Sequence, residues 1–268
     1  MESDRVFEGS VPALYDRYLG PMIFAPYADD MAARLVHLQD GRLLEVAAGT
    51  GVLTRALVDT LPPSVAIVAT DLNQPMLDHA SARLVSDRLT WRQADAQALP
   101  FADGMFDLVV CQFGAMFFPD RPRAFAEAAR VLKPGGRYLF SVWDRIAENE
   151  FADVVVSAVA ALYPDDPPMF LARTPHGHHD TAALVAQLRA AGFGTTGVES
   201  LTLESTAPDA LSVAIGYCQG TPMRGEIEAH GAGALAAATR VATEAMAARY
   251  GAGPVTGRIG AHVLTAGR

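Results

Sequence analysis

The order in which apolar runs, glycine turns and helices follow one another constrains this chain most. Residues 42–46 (RLLEV) run into Ala47-Ala48-Gly49-Thr50-Gly51, and 52–61 then reads as a helix stopped by Pro62-Pro63. Residues 65–71 (VAIVATD) are β-branched and end in an acid. Residues 74–86 read as a helix with Asn73 as N-cap, and 89–95 as a third strand. Residues 106–114 (FDLVVCQFG) are almost all apolar, as a strand covered on both faces requires. The helix expected over 121–132 stops at Pro134-Gly135-Gly136, and 137–144 (RYLFSVWD) is a fifth strand. Strands alternating with helices over short connections specify an α/β fold with a parallel sheet. Its ligand lies outside the carboxyl ends of the strands.

After Asp144 the rhythm breaks. Residues 148–163 read as one helix, and a loop with His176, His178 and His179 follows. A helix over 181–191, a strand over 198–206, a helical block over 208–253 and a last strand over 258–266 complete the chain, and residues 7–40 add helices before the first strand. We expect one domain over 1–268. It comprises amino-terminal helices (1–40), a core (41–145) and helical insertions (147–175 and 207–254) of the kind that form lids.

Composition narrows the partners. Half of the 268 residues are hydrophobic and 19% are charged, which suits a packed core and excludes a mainly disordered chain. The net charge is −9, whereas a binder of phosphate backbones needs clustered Lys and Arg, so no nucleic-acid partner is expected. Cys111 and Cys218 have neither a metal-site spacing nor a disulfide framework. The start, MESDRVFEGS, lacks an apolar signal region, and the apolar stretch 154–163 is far too short to span a bilayer. A cytoplasmic location without stable membrane insertion is therefore expected, with no reading of oligomeric state.

Three turns carry chemistry, each at the end of a consecutive strand. In E-x-A-x-G-T-G (Glu45 to Gly51) the glycines let the backbone turn tightly and approach a ligand, and the helix that follows offers free N–H groups to an anion. Asp71 suits the two hydroxyls of a ribose, or the positive end of the next helix. Asp95-Ala96 suits an exocyclic amine of a purine, or a simple turn. Three residues after Gly51 stands Thr54, so the dinucleotide fingerprint G-x-G-x-x-G is absent.

Together, LLEVAAGTG, VATDLNQPML, ADAQALPFADGMFDLVVCQFG and RVLKPGGRYLF resemble the class I S-adenosylmethionine-dependent methyltransferases, in the branch similar to ubiquinone/menaquinone C-methyltransferases. The resemblance is strong over residues 40–145. It departs at Ala47, where many members carry Gly. It implies a Rossmann-like, seven-stranded, mainly parallel sheet with an antiparallel edge strand, helices on both faces and helical lid insertions. It also implies S-adenosyl-L-methionine as cofactor and S-adenosyl-L-homocysteine as product. By motif, Gly49 and Gly51 would flank the methionyl part, Asp71 would hold the ribose, and Asp95-Ala96 would lie beside the adenine. Leu72 and Met76 would pack on that ring and Gln112 would lie near the methionyl group, with Glu45, Ala47 and Tyr18 completing the set.

The acceptor is less legible. The strand-four exit (Cys111-Gln112-Phe113-Gly114) lacks the Asn/Asp-Pro-Pro-aromatic sequence of base and glutamine amino-methylation. Cys111, inside an apolar strand, reads as packing. Tyr15, Phe113, Phe117, Trp143, Tyr217, Met223 and Arg224 would line a dry, aromatic pocket for a small acceptor, or simply pack a core. His176, His178 and His179 match no metal arrangement, so no metal is expected. One of them could serve as general base, while Asp180 caps the next helix. The expected function is methyl transfer to a small, largely apolar or aromatic acceptor. The alternative is a cofactor-binding regulatory or accessory protein without transfer activity.

Overall fold

Seven strands form one sheet in the order β3-β2-β1-β4-β5-β7-β6 in the computed structural model, which describes residues 11–268. The part of the expected amino-terminal helices that precedes residue 11 lies outside the described residues. The strands are β1 (Gly41–Val46), β2 (Val65–Asp71), β3 (Leu89–Gln93), β4 (Phe106–Gln112), β5 (Leu132–Trp143), β6 (Thr195–Ala207) and β7 (Val255–Gly267). β1 pairs in parallel with β2 and β4, β2 with β3, and β4 with β5. β7 runs the other way: the Arg268 N–H donates to Gly136 O and the Gly194 N–H to Gly267 O, so β7 is antiparallel to both β5 and β6. The strand order turns back at β1 and β4, so the crevice beyond their carboxyl ends is where ligands bind in such sheets.

The helices are α1 (Val11–Leu14), α2 (Ala25–Ala33), α3 (Val52–Thr60), α4 (Gln74–Ser81), α5 (Arg121–Val131), α6 (Glu150–Leu162), α7 (Phe170–Arg173), α8 (Thr181–Ala190), α9 (Ala210–Gln219), α10 (Met223–Glu228) and α11 (Ala234–Tyr250). By internal contacts the chain divides into two compact units. A sheet unit comprises Tyr27–Val142, His179–Leu201 and Ala261–Arg268. A helical unit comprises Trp143–His178, Thr202–Gly260 and the residues up to Pro26.

In the sheet unit, residues paired in parallel share a face, so Leu43, Leu108, Val110 and Leu139 point one way and meet Met31 and Leu57 of the covering helices. Their neighbours point the other way. There Phe125 of α5 lies 5.9 Å from Tyr138 and 5.2 Å from Phe140, and Phe193 stacks on Tyr138 at 6.0 Å. Each such buried side chain contributes about 1.5–3 kcal/mol, enough to fix which face every strand turns to α3 and which to α5.

Several boundaries depart from expectation, and α4 ends at Ser81 rather than at 86. β3 ends at Gln93 rather than 95 because Asp95 turns back to bridge Ala98. β5 begins directly at Leu132 and includes the Pro-Gly-Gly expected as a stop. The register shift between Phe106 and Leu108 absorbs the extra residues, and Gly135, at φ +80°, donates its N–H to Arg268 O.

In the helical unit, α6 and α9 pack on the alanine-rich α11, burying Val155, Val213, Ala238, Ala242 and Met246. Between α1 and α2 the backbone of Tyr15–Phe24 is a π-helix, and the Ala25 N–H reaches Gly20 O. Pro21 accounts for a break in the regular ladder, since it has no N–H to give and its ring would clash with the carbonyl four residues earlier.

Candidate cofactor site and family

β1 delivers Val46 to a turn that three left-handed residues bend: Ala47 at φ +58°, Gly49 at +57° and Gly51 at +83°. Gly51 leads directly into α3. Ala47 bears a methyl group in a conformation that costs an L-residue about 1–2 kcal/mol. The strain persists because the turn is held from both sides: the Ala48 N–H donates to Thr70 O at 2.8 Å and the Gly51 N–H to Ala48 O at 3.0 Å.

Asp71, at the end of β2, braces the same turn. One carboxylate oxygen accepts the Gly49 N–H at 2.9 Å and the other the Asn73 N–H at 2.8 Å. Burial pushes its pKa up, and these two backbone donors oppose that shift. Oδ1 also takes the Asn73 side-chain amide at 3.4 Å, whereas Oδ2 keeps a further lone pair for a hydroxyl donor. The helix-dipole reading of Asp71 and the ligand reading are thus compatible. Asn73 heads α4 as expected, but its side chain turns to Asp71 and makes no cap bond.

Glu45 is 1% exposed and accepts the Thr54 hydroxyl at 2.6 Å. Desolvation pushes its pKa up to about 8; the Thr54 bond opposes this and the charge of Asp71 adds to it. Two further observations show that the turn suits a polar ligand. The buried Thr50 hydroxyl has no hydrogen-bond partner among the described residues, and a Cβ built on Gly49 would meet nothing within 4 Å.

Asp95 follows β3, and one of its oxygens accepts the Gln97 N–H at 2.8 Å. Ala96 is buried, whereas Leu72 exposes 43% of its surface, an apolar plate beside Asp71. Met76, expected on the same ring, is buried on the inner side of α4 at 3% exposure. Gln112 ends β4 opposite Ser141 of β5. Phe113 follows at φ +53°, its N–H directed to the carbonyl and hydroxyl oxygens of Ser141 at 3.1 and 3.3 Å and its ring edge-on to Tyr27 at 5.3 Å. Phe117 lies half-buried in the 3₁₀ turn that follows. Cys111 is fully buried and its thiol is pushed up to about 12 by desolvation, which fits packing rather than nucleophilic chemistry.

The other expected residues fall in the helical unit. Tyr15 stacks on Phe24 at 4.8 Å, Phe24 lies 5.9 Å from Trp143, and Trp143 lies 6.2 Å from the His176 ring. The Arg17 guanidinium covers Tyr18 at 5.2 Å. Tyr217 and Met223 are buried, and Arg224 pairs with Glu228 at 2.8 Å.

The three histidines differ in burial, and His179 belongs to a different unit from the other two. His176 is buried with Nδ1 2.8 Å from Asp144 O, His178 is half-buried in the same unit, and His179 is exposed in the sheet unit. Asp180 caps α8 as expected, accepting the Ala183 N–H at 3.1 Å. Among the described residues no three His, Cys, Asp or Glu are grouped to hold a metal, and no helix is long and apolar enough to cross a membrane.

Sequence reasoning missed the π-helix, Thr50, and the side chains of α5 that grip the loop after β3. For Thr50 the signal was present in GTG. For α5 it lay in the Glu127/Arg130 spacing just before LKPGG.

A family model described as a methyltransferase domain matches residues 44–140. The ubiquinone/menaquinone biosynthesis C-methyltransferase UbiE of Saccharophagus degradans is 30% identical over 174 residues, which is 60% of this chain and 70% of that one. The chain belongs to the S-adenosylmethionine-dependent methyltransferases. Solved structures share the fold of this methyltransferase at low identity. The phosphoethanolamine N-methyltransferase 2 of Haemonchus contortus, bound to phosphomonomethylethanolamine and S-adenosylhomocysteine, superposes with a TM-score of 0.63 at 15% identity, covering 99% of this chain and 59% of that one. The [4+2]-cyclase SpnF gives 0.56 at 21%, covering 96% and 93%. The methyltransferase uses S-adenosylmethionine, and the open, polar turn at Gly49 and Thr50 fits such a cofactor.

Proposed function

We propose that this methyltransferase transfers the methyl group by in-line displacement to a small, largely apolar or aromatic molecule. The observation that carries the reading is the aromatic set Tyr15, Phe24, Trp143 and His176 in the helical unit, rings packed on one another with few charges, of which Tyr15 keeps part of its surface exposed. UbiE relatives named for quinone C-methylation support an acceptor of that kind. When bound, S-adenosylmethionine supplies a methyl group already activated on a sulfonium.

The protein's part is then placement. The N–H groups at the start of α3 receive the carboxylate of the methionyl part, and Gly49 and Gly51 let the chain approach it. Asp71 accepts from the ribose hydroxyls, Leu72 packs on the adenine, and Asp95 accepts from its amine. Gln112 orients the methionyl end, while Glu45 sits beneath the turn. Aligning two reactants and excluding water supplies most of what such a displacement needs from a protein. Where the acceptor must lose a proton, His176 is the suited histidine. A bond from Nδ1–H to Asp144 O fixes the tautomer whose Nε2 takes the proton.

Calorimetry with S-adenosylhomocysteine, followed by product detection over a panel of quinols, phenols, enols and amines, tests the reading. Tight cofactor binding with transfer to an aromatic acceptor is the expected result. Tight binding with no S-adenosylhomocysteine formed on any acceptor class would favour a regulatory or accessory protein.

A further inference from the structure

One stripe of α5 grips the loop that follows β3. Residues 120, 123, 127 and 130 lie three, four and three apart, so they share a helix face. The loop presents its carbonyls to that face at every second residue. The Arg123 Nε–H donates to Gln97 O at 2.8 Å, and Arg130 donates from Nη2 to Leu99 O at 2.9 Å and from Nη1 to Phe101 O at 2.8 Å. Glu127 answers by accepting the Leu99 N–H at 2.8 Å, and it is held by Arg130 at 2.7 and 2.8 Å.

The first residue of the gripped segment does more. The Gln97 side-chain oxygen accepts the Asp120 N–H at 2.9 Å, at the head of α5. Its amide nitrogen lies 3.2 and 3.4 Å from the two carboxylate oxygens of Asp95, and its backbone N–H donates to Asp95 at 2.8 Å. A side-chain amide fixed at its oxygen end can offer its N–H only in one direction. Asp95 is therefore held by a side chain that is itself anchored on a helix.

We propose that Gln97 is the positioning residue that aims Asp95 at the 6-amino group of the cofactor's adenine, with the Arg123/Glu127/Arg130 stripe of α5 holding Gln97 in place. This rests on the assignment of Asp95 to the adenine made above. A pure loop fastener would act on folding and on every ligand alike. A positioning residue acts on the one atom that Asp95 reads, because a site built to accept a hydrogen bond rejects an analogue that lacks the donor.

The test compares binding of S-adenosylhomocysteine with that of S-inosylhomocysteine, in which a carbonyl replaces the 6-amino group. The wild-type protein is expected to prefer the adenosyl compound by about tenfold or more. Gln97→Leu removes both polar ends and is one atom shorter than Gln. It should cut that preference to about two- to threefold by weakening the adenosyl compound, with the inosyl affinity held within about twofold. Gln97→Glu keeps the acceptor for the Asp120 N–H but sets a second carboxylate against Asp95, and should do worse than Gln97→Leu. Asp95→Asn should shift the preference toward the inosyl compound. Retention of the full preference in Gln97→Leu, or equal loss of both ligands, overturns the proposal. No preference in the wild type, or an unchanged preference in Asp95→Asn, overturns instead the adenine assignment on which it stands.

Discussion

Arg88 closes the far end of the helix that the glycine turn opens. Its Nη2 donates to Val58 O at 2.6 Å and Leu61 O at 2.8 Å, and its Nη1 to Pro62 O at 2.9 Å and Val65 O at 3.1 Å. The last carbonyls of α3 have no partner within the helix, and Pro62-Pro63 cannot continue it. A hydrogen bond to a charged group contributes about 1.5–3 kcal/mol net. Counting one full bond per nitrogen gives about 3–6 kcal/mol, and halving that for a half-buried site where water replaces part of it leaves about 1.5–3 kcal/mol. Arg88→Met, which retains an apolar stem, should therefore lower Tm by about 3–12 °C and shift the urea midpoint at unchanged slope. Arg88→Lys should recover about half, because one ammonium cannot serve both pairs of carbonyls. Affinity for S-adenosylhomocysteine should stay within about twofold in both, since Gly51 lies at the opposite end of α3. A Tm within about 1 °C of wild type for Arg88→Met, or full recovery by Lys, would refute the reasoning.

Three further outcomes are expected. Asp71→Ala should weaken S-adenosylhomocysteine by about 10- to 150-fold in calorimetry, the equivalent of about 1.5–3 kcal/mol in charge-assisted bonds. It should also lower Tm, because Gly49 and Asn73 lose their acceptor. The Glu45 carboxyl titrates at about 8 when folded and at about 4.3 when unfolded, so between those values the folded protein holds a proton that the unfolded chain has released. Its contribution to stability is then fully present below about pH 4.3 and is lost as pH rises through 8, by at most about 1.4 kcal/mol per pH unit. Glu45→Gln should gain Tm relative to wild type across that window when both are followed from pH 5 to 9 without cofactor, and parallel curves would sink the assignment. Ala47→Gly removes a left-handed alanine and should raise the urea midpoint by the equivalent of about 1 kcal/mol; a loss would show that the strain is not there.

The order of strands and helices was legible because β1, β2 and β4 are apolar runs that carry a polar residue at or beside their ends, Glu45 before the turn, Asp71 at the end of β2 and Gln112 at the end of β4. Asp71 was readable as the acid that closes β2 beside the glycine turn, and there it accepts the Gly49 and Asn73 N–H groups. Long-range polar contacts were not legible. Arg88 sits in an ordinary polar stretch, and nothing local says that its guanidinium will find carbonyls some 30 residues earlier. The π-helix was hidden because Pro21 reads as a helix stop until tertiary packing holds the chain on both sides of it. The Pro-Gly-Gly inside β5 misled for the opposite reason: turn residues were absorbed by a register shift against β4 that only pairing reveals. The three histidines read as one loop, and these neighbours in sequence meet different surroundings, His176 against Trp143 and His179 at the surface.

The place of β7 has a consequence for how the chain is made. β6 is synthesised before β7, yet its neighbour in the sheet is β7, inserted between β5 and β6. While a ribosome is still adding residues 255–267, the open edge of β5 and all of β6 wait unpaired, and an unpaired strand edge is a template for other chains. A nascent chain stalled or nicked before Val255 would thus carry a complete cofactor turn on a sheet with a raw margin. Such a fragment should be a client for chaperones and a seed for aggregates, even though every residue proposed to hold the cofactor has already been translated.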